Sequence, residues 1–281
     1  MSGKTEREQD EIKAEEHSHL GCGDDGHLAC RIKDGRRDAR LPHRLEACAT
    51  IMTTAADRII VALDVPTKVA ALDLVDQLRE QISFFKIGLQ LYTAEGPEIV
   101  RAVLATGAKV FLDFKLHDIP NTVAKAVESA GQLGVQMLTI HLSGGPEMIR
   151  AAVEASGNNM SILGVTVLTS ATEETLREIG VFDKINIHVS RLAKLGVSAG
   201  IGGLVASPRE ARMLRAEFGN EIKIVTPGVR PTWAEAVDQK RVMTPREAIE
   251  AGADYSVIGR PITAHPNPRE AVAKILDEIE A

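Results

Sequence analysis

The run AKVFLDFKL (108–116) decides how the chain folds. Its middle, Val110-Phe111-Leu112, is apolar, as a buried strand requires, and its end carries an acid and a base, Asp113 and Lys115. Upstream lie RIIVALDV (58–65) and ISFFKIGL (82–89); downstream come VQMLTIHL (135–142) and SILGVTVL (161–168). IGGLVAS (201–207), EIKIVTPG (221–228) and DYSVIGR (254–260) complete the set. Between them lie segments such as TKVAALDLVDQLRE (67–80), with apolar residues at helical spacing. Strands apolar on both faces that alternate with helices imply a parallel sheet covered by helices. Eight such units from Arg58 onward predict a (β/α)8 TIM barrel. The alternative, a doubly wound open sheet, usually opens on a glycine-rich first turn. Here the first strand ends ALDVPTK.

The rest of the composition agrees. Of 281 residues, 44% are hydrophobic and only 3% aromatic, so the core must be built from Val, Ile, Leu and Ala. A net charge of −6 argues against bulk nucleic-acid binding, which needs a basic face. No apolar run approaches the roughly 20 residues that span a bilayer, and MSGKTEREQDEIKAEEH has no secretory core. The expected compartment is the cytoplasm. Residues 1–51 are polar, mixed in charge and without apolar periodicity, so they read as a disordered extension. An equal reading puts the natural start at Met52. Cys22, Cys30, Cys48, His17, His19, His27 and His43 are zinc-ligand types in that stretch, but without paired ligand spacing. No metal site is therefore assigned. The barrel domain is placed at 52–281.

In a (β/α)8 barrel the active site lies at the C-terminal ends of the strands. Those ends are charged: Asp64 on the first, Lys86 on the second, then Asp113, Lys115 and Asp118 on and after the third. Acids and lysines are costly in an apolar barrel unless paired. One such pair would read as a stabilising rim contact; the set on adjacent strands reads as catalytic. Asp113 and Lys115 are two apart and point the same way, with Phe114 toward the helices. After strands seven and eight, TPGVR and GRPIT supply Gly228, Gly259 and Arg260, suited to a phosphate group.

DFKLHDIPNTV (113–123) resembles the motif of orotidine 5′-monophosphate decarboxylase, in its bacterial form. ALDVP (62–66), KIG (86–88), LTS (168–170), TPGVR (226–230), DQKRVMTP (238–245) and GRPIT (259–263) follow in the family's order. The resemblance covers Arg58 to the C-terminus. It implies conversion of orotidine monophosphate to UMP and CO2, the last step of de novo pyrimidine synthesis, without metal or organic cofactor. It implies that Asp64 and Lys86 bind the ribose side, and that Asp113 and Lys115 flank the scissile carboxylate. Thr169 would lie by the pyrimidine amide, and Pro227 would be an apolar wall. Arg230, Gln239, Gly259 and Arg260 would clamp the phosphate, with 228–242 as lid. Asp118 and Thr122 would reach a partner's site, so a homodimer is implied.

Two other readings compete. Magnesium-dependent relatives, 3-keto-L-gulonate 6-phosphate decarboxylase and hexulose 6-phosphate synthase, share D-x-K-x-x-D but place a Glu at the end of strand two. Here that position is Lys86. A non-catalytic phosphate-binding barrel would not need the whole acid–lysine array. His117 and His141 are read as structural, His188 and His265 as surface or loop residues, and Trp233 as either packing in the lid or exposed.

Overall fold

The structure, a computed structural model, describes residues 54–234 and 243–281. The extension, its candidate zinc ligands, the alternative start, Gln239 and most of the expected lid lie outside them. All eight apolar runs form strands: β1 Ile59–Ala62, β2 Phe84–Gly88, β3 Lys109–Leu116, β4 Met137–His141, β5 Ser161–Val165, β6 Gly203–Val205, β7 Lys223–Pro227 and β8 Tyr255–Ile258. Each pairs in parallel with the next, and β8 pairs with β1, which closes the expected barrel.

A parallel strand can return only through a crossover, and helices supply it at every step. They are α1 Lys68–Leu78, α2 Leu89–Glu95, α3 Pro97–Leu104, α4 Pro120–Gln132, α5 Gly145–Ser156, α6 Glu173–Glu178, α7 Ile185–Ser198, α8 Pro208–Phe218, α9 Pro245–Glu250, α10 Arg260–Thr263 and α11 Pro268–Glu280. The sequence marks their starts. Thr67, Thr172 and Asn267 accept hydrogen bonds from backbone N–H groups of the first turns. Thr244 and Glu247 form a reciprocal capping box ahead of α9. Proline opens α3, α4, α5, α8 and α11, where its fixed φ suits a first turn and its missing N–H costs nothing.

Strand alternation divides the apolar side chains into two cores. Ile60, Phe84, Phe111, Met137, Leu163, Val205, Val225 and Val257 fill the barrel. Their neighbours Ile59, Val61, Phe85, Leu112, Leu138, Ile140, Leu204 and Ile258 pack outward beneath the helices. The same parity aims Asp64, Lys86, Asp113 and Lys115 into the C-terminal mouth.

One strand pair departs from regular register. Leu112 pairs with Leu138 and Leu116 with Ile140, so four steps along β3 match two along β4. The excess is a bulge, and Lys115 lies in it with φ 52°. The strands are otherwise shorter than the apolar runs. β5 stops at Val165 and β6 covers only three residues, because Val167 and Ile201 turn into the outer core.

Candidate active site

Four charged side chains meet at the mouth, in alternating sign. Lys86 Nζ lies 3.1 Å from Asp64 Oδ1 and 3.5 Å from Asp113 Oδ2. Lys115 Nζ lies 2.7 Å from Asp113 Oδ1. Each inner charge thus has an opposite charge on either side, which offsets the cost of taking it from water. Lys86 is 8% exposed and the Lys115 side chain 31%, so Lys115 presents the more accessible ammonium. Gly88 makes room for the array: a Cβ there would sit 3.0 Å from Lys86 Nζ.

Thr139, fully buried on β4, ties the bulge down. Its hydroxyl accepts the Lys115 N–H at 2.9 Å and donates to Asp113 Oδ1 at 3.1 Å. Among the described residues, Lys115 alone of the non-glycines has a positive φ. Such a conformation costs about 1–3 kcal/mol and persists where its surroundings over-determine it. The sequence reading passed over Thr139, because MLTIH looks like any strand. The available signal was parity: Met137, Thr139 and His141 share the face that looks into the barrel. Phe114 faces the helices as expected, with its ring 4.6 Å from that of Tyr92.

Burial alone would raise the Asp113 carboxyl. The Lys86 and Lys115 ammoniums, with hydrogen bonds from Lys115 and Thr139, outweigh it and hold the group below its ordinary value. A carboxyl held lower in the folded than in the unfolded chain adds stability that is full above the unfolded value, about pH 4. That stability is lost as pH falls through the folded value. Melting temperature measured against pH should therefore drop on the acid side. Asp113→Asn should flatten that limb by up to one proton, about 1.4 kcal/mol per pH unit. It should also lower stability at neutral pH, where two lysines lose their common partner.

Beside the array lies a cleft whose other wall is apolar: Val165, Val167, Val205, Val225, Pro227 and Val257. Thr169 lies on its rim. Lys86, Asp113, Pro227 and Val257 also line a second, more polar space that continues to Asp64, Gly228, Arg230, Gly259 and Arg260. A flat ring would fit the first space and an anion the second. Gly228 has φ 79°, which a side chain would strain. Arg230 is 8% exposed, and its N–H donates to Met243 O at 3.0 Å. Val229 bridges to Met243, so the two ends of the segment between them are held together. Gln90, at the start of α2, also lines the polar space; nothing in its sequence context marked it.

Asp118 and Thr122 are not brought into the cleft. Both are exposed, on the turn after β3 and the first turn of α4. Asp118 Oδ1 accepts the Ile119 N–H at 2.6 Å, and Ile119 itself is 67% exposed. His117 and His141 face each other with ring centres 5.6 Å apart. Burial first, then His117 and Lys115, lower the His141 pKa, against the pull of Asp113. His188 is a helix residue on α7 rather than a loop residue, and its Nδ1 is buried. Trp233 is half-exposed and packs on His265 at 5.5 Å, with Lys274 above its ring. No group of three or more His, Cys, Asp or Glu suited to a metal ion occurs among the described residues.

The sequence profile of the orotidine 5′-phosphate decarboxylase / HUMPS family matches residues 57–275. The chain is 50% identical over 234 residues to an orotidine 5′-phosphate decarboxylase of Geobacter sp. (strain M21). That match covers 81% of this chain and 98% of the relative. A relative of the same name from Syntrophotalea carbinolica is 47% identical over 239 residues, 82% of this chain and 98% of its own. Among solved structures, the orotidine 5′-phosphate decarboxylase from Lactobacillus acidophilus superposes with a TM-score of 0.71 at 33% identity. It covers 79% of this chain and 99% of that one.

Proposed function

The chain belongs to the orotidine 5′-phosphate decarboxylase / HUMPS family, and from that premise we propose how its barrel mouth converts orotidine 5′-monophosphate to UMP and CO2. The observation that carries the reading is the alternating array Asp64, Lys86, Asp113, Lys115. A magnesium-dependent relative needs an anion where Lys86 stands. Here that position holds an ammonium paired to two carboxylates. Relatives that are 47–50% identical over nearly their whole length carry the decarboxylase name, which supports the same branch.

Breaking the C6–carboxylate bond leaves its electron pair in the plane of the pyrimidine ring, with no adjacent carbonyl to spread it. A cation fixed at that position lowers the barrier directly. Lys115 is the candidate: its ammonium faces the pairing carboxylate of Asp113 and remains accessible from the cleft. It stabilises the pair and gives a proton to C6, and solvent then returns one to the amine. Asp113 holds that ammonium in place. It also stands beside the substrate's carboxylate, where two unit charges 4 Å apart repel by about 4 kcal/mol at an effective dielectric of 20. The repulsion disappears as neutral CO2 leaves toward the apolar wall.

Asp64 and Lys86 take the ribose hydroxyls, and Thr169 the pyrimidine amide, against Pro227. Arg230, Gln239, Gly259 and Arg260 hold the phosphate, and the segment 228–242 closes over it. Phosphate binding energy is then available for closure and orientation far from the reacting bond. Asp118 and Thr122, exposed and outside this chain's own cleft, complete the site of a second copy in a homodimer. Neither nucleic acid nor membrane is a partner in this reading: the net charge is −6, and no described helix is long and apolar enough to cross a membrane. The cytoplasm remains the compartment proposed. The barrel enzyme occupies 52–281 and residues 1–51 are an extension to it, in keeping with relatives matched over 98% of their length by about 234 residues.

The test is formation of UMP from orotidine 5′-monophosphate by the full-length chain in excess EDTA. Turnover should be unchanged by the chelator, and 3-keto-L-gulonate 6-phosphate with magnesium should not react. Absence of UMP formation by folded protein, or its loss on chelation, would overturn the assignment.

A further inference from the structure

Thr139 is a polar group at the mouth that the proposed chemistry leaves without a task. It is fully buried among apolar strands, where a hydroxyl is costly unless both its donor and acceptor capacity are used. Here both are. The hydroxyl accepts from the backbone N–H of Lys115 at 2.9 Å and donates to Asp113 Oδ1 at 3.1 Å. The same carboxylate oxygen receives Lys115 Nζ at 2.7 Å. One side chain on β4 therefore closes a ring of contacts that includes both the main chain and the ammonium of Lys115.

That ring coincides with the irregularity in the barrel. The register of β3 against β4 slips between Leu112 and Leu116, so the main chain at Lys115 is outside the regular ladder. A bulged N–H needs another acceptor. The residue there is a lysine at φ 52°, a backbone region it would not choose by itself.

We infer that Thr139 is a positioning residue for decarboxylation: it fixes the bulged backbone of Lys115 and the rotation of the Asp113 carboxylate, and so aims the ammonium at the reacting carbon. The inference rests on the role proposed for Lys115. Thr139 lines neither the apolar cleft nor the polar space beside the charged array. It therefore acts on the chemical step rather than on binding. Serine can make both hydrogen bonds; valine, of the same shape, can make neither.

The experiment compares Thr139→Val and Thr139→Ser in the full-length chain. Thr139→Val should lower kcat on orotidine 5′-monophosphate by about 100-fold, the scale of a misplacement near 1 Å. KM and UMP affinity should stay within about threefold, as for an interaction used only in the transition state. Thr139→Ser should recover most of the rate. If Thr139→Val does not fold, Thr139→Ala against Thr139→Ser gives the same contrast, since both lose the methyl and only Ser keeps the hydroxyl. A crystal structure of the apolar variant supplies a readout that does not depend on substrate. Lys115 should leave the left-handed region and its ammonium should part from Asp113. Retention of both features would overturn the inference, as would an unchanged kcat or a failure of Ser to rescue. Failure of the wild-type chain to use orotidine 5′-monophosphate would instead overturn the reading of the site, and the crystal structure would still decide the role of Thr139.

Discussion

Lys115→Ala lowers kcat on orotidine 5′-monophosphate by about 10⁴-fold or more, the product of a lost proton donor and a lost charge at the carbanion. The variant keeps its fold and its affinity for UMP. Three features support so large an effect. Lys115 is the more exposed lysine of the array, while Lys86 is buried between Asp64 and Asp113 and is not free to replace it. The wall opposite is apolar, with Val165, Val205, Val225 and Val257 on it. Water is a poor substitute in such a cleft, and Lys86, the other described cation that lines it, is held by two carboxylates. The barrel core is separate from the loss: Phe111, Met137 and Leu163 pack below the mouth and do not depend on Lys115. Steady-state kinetics with a thermal melt check the prediction. A loss of less than about tenfold in folded protein would remove Lys115 from the chemistry, since a general acid alone is worth more.

Asp118→Ala should lose most activity too, although Asp118 lies outside the cleft of its own chain. The decisive observation is recovery on mixing. When inactive Lys115→Ala and Asp118→Ala subunits are unfolded and refolded together, the proposed homodimer places one of each in half of the dimers. In a symmetric dimer whose sites each take Lys115 from one subunit and Asp118 from the other, one of the two sites in such a dimer is intact, which gives about a quarter of wild-type activity. Ile119, beside Asp118 on the same turn, is 67% exposed, and the proposed dimer would cover it. If each site were complete within one chain, mixing would recover nothing.

The fold was legible because its determinants are local and repeated. Each of the eight runs carries enough apolar length to be read as a strand, and between them helical spacing, Thr or Asn caps and opening prolines mark the crossovers. Strand ends were read too long where apolar residues continue past the ladder, as at Val167 and Ile201, which pack in the outer core. The charged array was legible for a related reason: acids and lysines at the ends of apolar strands conflict with burial, and parity shows which of them share a face. What escaped the reading is non-local. Lysine carries no preference for a positive φ, and the contact that holds Lys115 there comes from Thr139, 24 residues downstream. Gln90 was missed because its place on the polar space follows from barrel closure and not from its neighbours in sequence. The sequence marked Thr122, and the reach of Asp118 into a partner's site, through family resemblance alone; a single chain leaves both residues on its surface.

A fixed Lys115 ammonium that meets a carbanion at C6 must also serve the reverse proton transfer. UMP incubated with the full-length protein in D2O should exchange its C6 hydrogen for deuterium, as followed by proton NMR. By microscopic reversibility the same lysine must remove that proton, so Lys115→Ala should reduce the exchange to the rate seen without protein. Exchange by Lys115→Ala as fast as by the wild type would contradict the account and place the proton donor elsewhere.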